Sequence, residues 1–160
     1  MECKIKITTN QKDYKGKSIF DHAADELLIE ESFSPLDEEG TMETSLFGTL
    51  EKSGDDYTLR YEEEAEGMGG TFTEVKFNEK EPEMVTIVRT GALDSFMLFE
   101  EGKRNVSVYN TGIMPFEICI YTKSVDNSLL DDGYLDITYL VEIKGASAQR
   151  TSLKMEIESL

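Results

Sequence analysis

The chain has 160 residues, with 33 acidic residues against 16 Lys and Arg and a single His, giving a formal charge of −17. That balance excludes direct recognition of a phosphate backbone, which needs clustered cations. A hydrophobic content of 39% excludes wholesale disorder, and no apolar run approaches the ~18 residues of a membrane-spanning helix. From the N-terminus, Cys3, Ile5 and Ile7 alternate with Lys4, Lys6 and Thr8, a strand pattern rather than the continuous apolar run of a signal peptide. Thr9 to Gly40 carries little alternation and many acids, so residues 9–40 read as a long acidic connection. Within it, Asp21 to Glu31 has a short helical pattern on the pairs Ala23/Leu27 and Ala24/Leu28.

Beyond that connection, Leu46, Gly48 and Leu50 share one strand face, and Tyr57, Leu59 and Tyr61 follow the turn Ser53-Gly54-Asp55-Asp56. Thr73, Val75 and Phe77 come next, then the run Met84 to Val88 and the segment Phe96 to Phe99. Val106 and Val108 precede Phe116, Ile118 and Ile120. The clearest alternation is Leu135, Ile137, Tyr139, Val141 and Ile143, which should face inward against Leu153, Met155 and Ile157. Short strands with turn punctuation every 8–12 residues or so predict an all-β fold. The expectation is a single antiparallel up-and-down β-barrel of eight to ten strands over residues 1–160.

Charge is unevenly spread along these elements. Residues 21–66 hold sixteen acids against Lys52 and Arg60, and so carry most of the excess. Residues 1–20 are mildly basic, with five lysines against Glu2 and Asp13. Cys3 and Cys119 lie far apart without CxxC spacing and read as apolar fillers in a reducing compartment, which points to the cytoplasm.

Several ordered pieces carry a resemblance. They are Gly48-Thr49-Leu50, Tyr57 to Glu63, Thr86 to Gly91, Met97 to Arg104, Tyr109-Asn110-Thr111, Gly133 to Tyr139 and the closing strand Ser152 to Glu158. Their order and spacing resemble the YwiB-like bacterial family of uncharacterised proteins. The resemblance implies a calycin-like, or lipocalin-like, barrel in a bacterial cytosolic setting, and no established activity. Two segments depart from it. Residues 9–40 are longer than the family's usual connection, and Gly112-Ile113-Met114-Pro115 replaces its Pro-aromatic-Gly turn.

Chemical motifs are few. The single His22 excludes His-rich metal centres and HExxH sites, and no GxSxG elbow supports a triad through it. Gly67-Met68-Gly69-Gly70 lacks GK[ST] and leads into a strand, so it reads as a hairpin rather than a phosphate loop. The acids lack EF-hand spacing. No catalytic residue, metal or cofactor is expected. Arg89 stands out, because it shares a face with Val85 and Ile87 and so points toward the core. A cation there needs a partner, either an internal carboxylate such as Glu62 or the anionic group of a ligand at the barrel mouth. Tyr61, Tyr109 and Tyr139 would supply hydroxyls around it. The leading expectation is a non-enzymatic barrel binding a small, partly apolar or anionic ligand through Arg89, Tyr61, Tyr109, Tyr139 and Glu62. The alternative is an acidic interaction module that docks a basic protein partner.

Overall fold

Strands that alternate apolar and polar residues can bury one face without leaving edges by closing the sheet on itself. The computed structural model shows ten strands doing so. They are β1 (Glu2–Gly16), β2 (Phe33–Ser53), β3 (Asp56–Glu62), β4 (Phe72–Asn78), β5 (Glu81–Thr90), β6 (Asp94–Glu100), β7 (Arg104–Asn110), β8 (Pro115–Ser128), β9 (Tyr134–Ile143) and β10 (Ser147–Ser159). The structure describes residues 1–16, 33–64, 67–110, 115–143 and 147–160, without the side chains of 13–16, 33–39, Phe116, Ile143 and Ser147. Each strand pairs antiparallel with its sequence neighbour, and β10 returns to pair with β1, giving a closed up-and-down barrel.

Inward positions follow the alternation. Cys3, Ile5, Leu59, Val75, Val85, Ile87, Phe99, Ile120, Leu135, Ile137 and Met155 are almost completely buried. Tyr139, Val141 and Ile157 pack against this cluster as partly buried residues. Ile143 has the right parity, but its side chain lies outside the described residues. At one end the barrel is closed by tight β2–β3, β4–β5, β6–β7 and β8–β9 connections together with both chain termini. There Tyr57 stacks on Phe77 with ring centroids 5.4 Å apart. Asn127 donates its side-chain amide to the Pro82 carbonyl at 3.0 Å, tying β8 to β5 across the base.

One sequence expectation is corrected. Thr9–Gly16 and Phe33–Gly40 are not connection but strand, paired from Thr9↔Met42 to Gly16↔Phe33. Alternation fades there because the inward positions Thr9 and Gln11 line an open mouth rather than the closed core, while backbone pairing continues. The helical pattern at Asp21 to Glu31 lies outside the described residues. Val106 and Val108 point outward and are more than half exposed, while Tyr109 takes the inward position on β7. The β6–β7 ladder is short, with only Asp94↔Asn110 and Ser95↔Tyr109 in register. Side chains bridge the rest of the seam, since the Ser107 hydroxyl donates to the Phe96 carbonyl and the Asn105 amide to that of Leu98.

Gly48 marks where β2 takes up β3. A Cβ placed on it would lie 2.5 Å from the Arg60 carbonyl oxygen and 2.6 Å from Ile5 Cδ1. Gly48→Ala should therefore cost about 1–3 kcal/mol of unfolding free energy in urea, the usual penalty for overpacking. Ile137→Ala should cost about 2–5 kcal/mol, because Ile137 is fully buried and the cavity would not collapse. A loss below about 0.5 kcal/mol, the level of a surface substitution, would remove Ile137 from the core.

Candidate functional site

The opposite end carries the β1–β2, β3–β4, β5–β6, β7–β8 and β9–β10 connections, and a cavity of ≈ 400 Å³ opens there. Ten strands enclose a wider interior than eight, so side chains do not fill it. Its walls are mostly apolar, with Ile87, Met97, Ile118, Val141 and Leu153 among them. Two elements of the rim are locked together. The Ala92 N–H donates to the Thr71 hydroxyl at 3.0 Å, and Thr71 is fully buried. Gly91, at φ +135°, brings the β5–β6 turn so close that a Cβ would lie 2.7 Å from the Gly70 carbonyl oxygen. This contact holds Met68 and Leu93 at the cavity wall.

Polar side chains form rows around this cavity, because the register aligns them. Tyr61 faces Thr73, Thr73 faces Arg89, Arg89 faces Ser95, and Ser95 faces Tyr109, across five consecutive strands. A second row runs from Thr122 through Tyr139 and Thr151 to Gln11 on the facing wall. Directly opposite residues in antiparallel strands project to the same side, so both rows belong to the interior. The hydroxyls of Ser95 and Thr122 are buried and have no hydrogen-bond partner among the described residues.

Arg89 is the cation of the cavity wall, as its parity predicted, with its side chain 24% exposed. Its partner is Glu63. The Arg89 Nε lies 3.4 Å from Glu63 Oε1, and the Thr73 hydroxyl donates to the same oxygen at 2.5 Å. Glu62 does not join them. It is exposed and accepts a hydrogen bond from the Gly70 N–H on the β3–β4 connection, so both its assignment as the internal partner and its place among the ligand contacts are corrected. The reason is parity, since Glu63 continues the inward face of Leu59 and Tyr61 while Glu62 lies between them. Read that way, the sequence held the signal for Glu63. Ser95 and Thr73 were missed because their place beside the cation is set by cross-strand register, which no local pattern encodes.

Electrostatics in the site follow from burial. Burial alone would lower the Arg89 pKa, but Tyr61, Tyr109, Glu63 and Tyr139 together outweigh it and raise the net value, so the guanidinium stays charged. Burial raises the Tyr61 phenol to about 12, helped by the Glu63 carboxylate and opposed by Arg89. Tyr139 is raised for the same first reason, while Arg89 and a hydrogen bond to Thr151 act against it. Tyr109 and Tyr139 line the cavity itself, and Tyr61 stands beside it in the Arg89 row.

The family described as Domain of unknown function (DUF1934) matches residues 29–155. The chain belongs to this family. Its fold is also similar to the crystal structure of the ywiB protein from Bacillus subtilis, with a TM-score of 0.58 and 20% identity over 98% of this chain and 94% of that one. The YwiB-like resemblance in the sequence is therefore borne out, and at that identity the likeness speaks for the fold. A comparison with curated proteins gives no match.

The raised Tyr61 gives this DUF1934 barrel a defined alkaline limit. The unfolded phenol ionises near pH 10 and the folded one near 12. Stability from the neutral, buried phenol is thus fully present below pH 10 and lost as pH climbs toward 12. The loss should reach roughly 2–3 kcal/mol in denaturant titrations across that window. Tyr61→Phe should flatten the slope, and an unchanged slope would mean that Tyr61 is not the group responsible.

Proposed function

We propose that the barrel is a non-enzymatic binding protein that holds a small, partly apolar anion in its cavity, the anionic group at Arg89. One observation carries this reading. Arg89 makes its only hydrogen bond among the described residues through Nε, to a single carboxylate oxygen, which leaves both terminal amino groups without an acceptor. A guanidinium presents five donors in a fork that suits carboxylate or phosphate. Here four of the five stand at the wall of the cavity, and the buried Ser95 hydroxyl, unpartnered among the described residues, neighbours Arg89 in the same row. The apolar wall would take the rest of the ligand, in a volume at the lower end of small-molecule pockets.

The tyrosines support the same reading. Tyr109 and Tyr139 present phenols on two sides of the cavity, and a phenol can donate to an anion that Arg89 has neutralised. Glu63 engages Arg89 through Nε alone. It lies just beyond β3, where its side chain can yield to an incoming anion. Free thiols at Cys3 and Cys119 suit the cytoplasm as the working compartment.

Titration calorimetry with decanoate, decanol and decyltrimethylammonium tests the proposal. Decanoate should bind best, and Arg89→Met should weaken it about tenfold or more, equal to about 1.4 kcal/mol, while leaving decanol unaffected. The variant should lose less than the ~3–5 kcal/mol of stability that breaking a fully buried pair costs, because Glu63 keeps its Thr73 hydrogen bond and part of its exposure to water. The net charge repels anions at long range, so decanoate affinity, relative to decanol, should rise with salt. Equal binding of the three probes, or full binding by Arg89→Met, would remove Arg89 from recognition.

A further inference from the structure

Among the described residues, β2 has an incompletely paired edge. β3 pairs with β2 only from Gly48↔Tyr61 to Ser53↔Asp56, whereas β1 pairs with β2 along nearly its whole length. From Gly40 to Phe47, β2 is therefore bonded on one side only, among the described residues. Gly40 to Ser45 are all exposed, and Met42 and Phe47 are 67% and 65% exposed. A row of open backbone N–H and C=O groups in an extended strand is a template for another strand. Proteins commonly blunt such edges with lysine, yet β2 carries Asp37, Glu38, Glu39 and Glu43 and no cation before Lys52.

We infer that this edge is a docking site for an extended basic segment of a partner protein, which adds to β2 as a further antiparallel or parallel strand. The paired edge of β2 shows what chemistry suits it. Its occupant there is β1, in which Lys4 and Lys6 alternate with Cys3, Ile5 and Ile7, and Lys6 lies 3.7 Å from Glu43. A second strand of the same character on the open side would find the same acids, with Glu62 exposed at the end of β3 and Glu64 exposed on the connection that follows. A second copy of this chain is the less suited occupant. Edge-to-edge pairing of β2 with itself would set like charges together, which is destabilising, on a molecule already at −17. Main-chain hydrogen bonds would supply affinity, and alternate side chains over Met42 and Phe47 would supply selectivity.

The test uses the intact protein and two labelled peptides of about ten residues, long enough to cover the open stretch. One alternates lysine with valine, and the other alternates glutamate with valine. Fluorescence anisotropy should show binding of the lysine peptide alone, weakening about tenfold from about 50 to about 500 mM salt. Glu43→Lys should weaken it severalfold while leaving the fold intact, since the Lys6–Glu43 pair is exposed. Amide hydrogen exchange supplies the readout of place. The fast-exchanging amides among residues 41–47 should become protected when the lysine peptide is added. Equal binding of both peptides, or protection confined to the cavity mouth, would overturn the inference. So would protection of the same amides by self-association of the protein without peptide, which would assign the edge to a second copy.

Discussion

Closure of the sheet through β1 is the constraint on which the rest of this structure depends. β1 pairs with β10 on one side and with β2 on the other, so the inward face must be the same in ten consecutive registers. A slip of one residue in any strand would send its whole inward set to solvent. For β5 that slip would expose Val85 and Ile87 and carry Arg89 out of the cavity with them. The apolar inward residues thus do two things at once. They bury the core, and they hold a cation in the interior where it would not otherwise stay.

The interior is divided along the barrel axis. Its base is filled by aliphatic and aromatic side chains, tied across by Asn127 and Pro82. Toward its mouth runs a polar row in which Tyr61, Thr73, Arg89, Ser95 and Tyr109 stand in register, with Arg89 and Tyr109 lining the cavity. A buried cation is tolerable only if it is paired and still reaches water. Glu63 and the open cavity supply those two conditions, with the guanidinium at the cavity wall.

The exterior follows a different rule. Along the sequence the charge lies mostly in residues 21–66, and within the described residues Glu39 and Glu43 stand on the part of β2 that runs on beyond β3. Repulsion from that charge acts against anions approaching the mouth, so the proposed ligand would have to gain its affinity at short range from Arg89 and apolar contact. The same charge is what the proposed basic partner would meet along the open edge of β2. Cavity and edge are therefore distinct in chemistry, although Thr9, which lines the cavity, pairs with Met42 on that edge.

Period-two alternation determined most of the fold by itself. Leu135, Ile137 and Met155 could be placed inside from sequence because buried strands repeat every second residue, and Arg89 could be placed with them for the same reason. Alternation also sufficed to predict closure, since so many half-apolar strands need a partner on every edge. Carried one step past the end of β3, the same parity picks Glu63 rather than Glu62 to meet Arg89. Two features lay beyond it. The register shift between Thr122 and Ser124 lets Ile118 and Ile120 face inward together with Val125 across a change of parity. The strand character of Thr9–Gly16 and Phe33–Gly40 left no hydrophobic trace, because these residues pair through their backbones beside an open mouth. Sequence alone determined which faces are apolar, since that is a property of neighbours along the chain. The tertiary structure decided which polar groups meet Arg89 and which edge stays open, because those depend on how distant strands are aligned by backbone hydrogen bonds that every residue type can make.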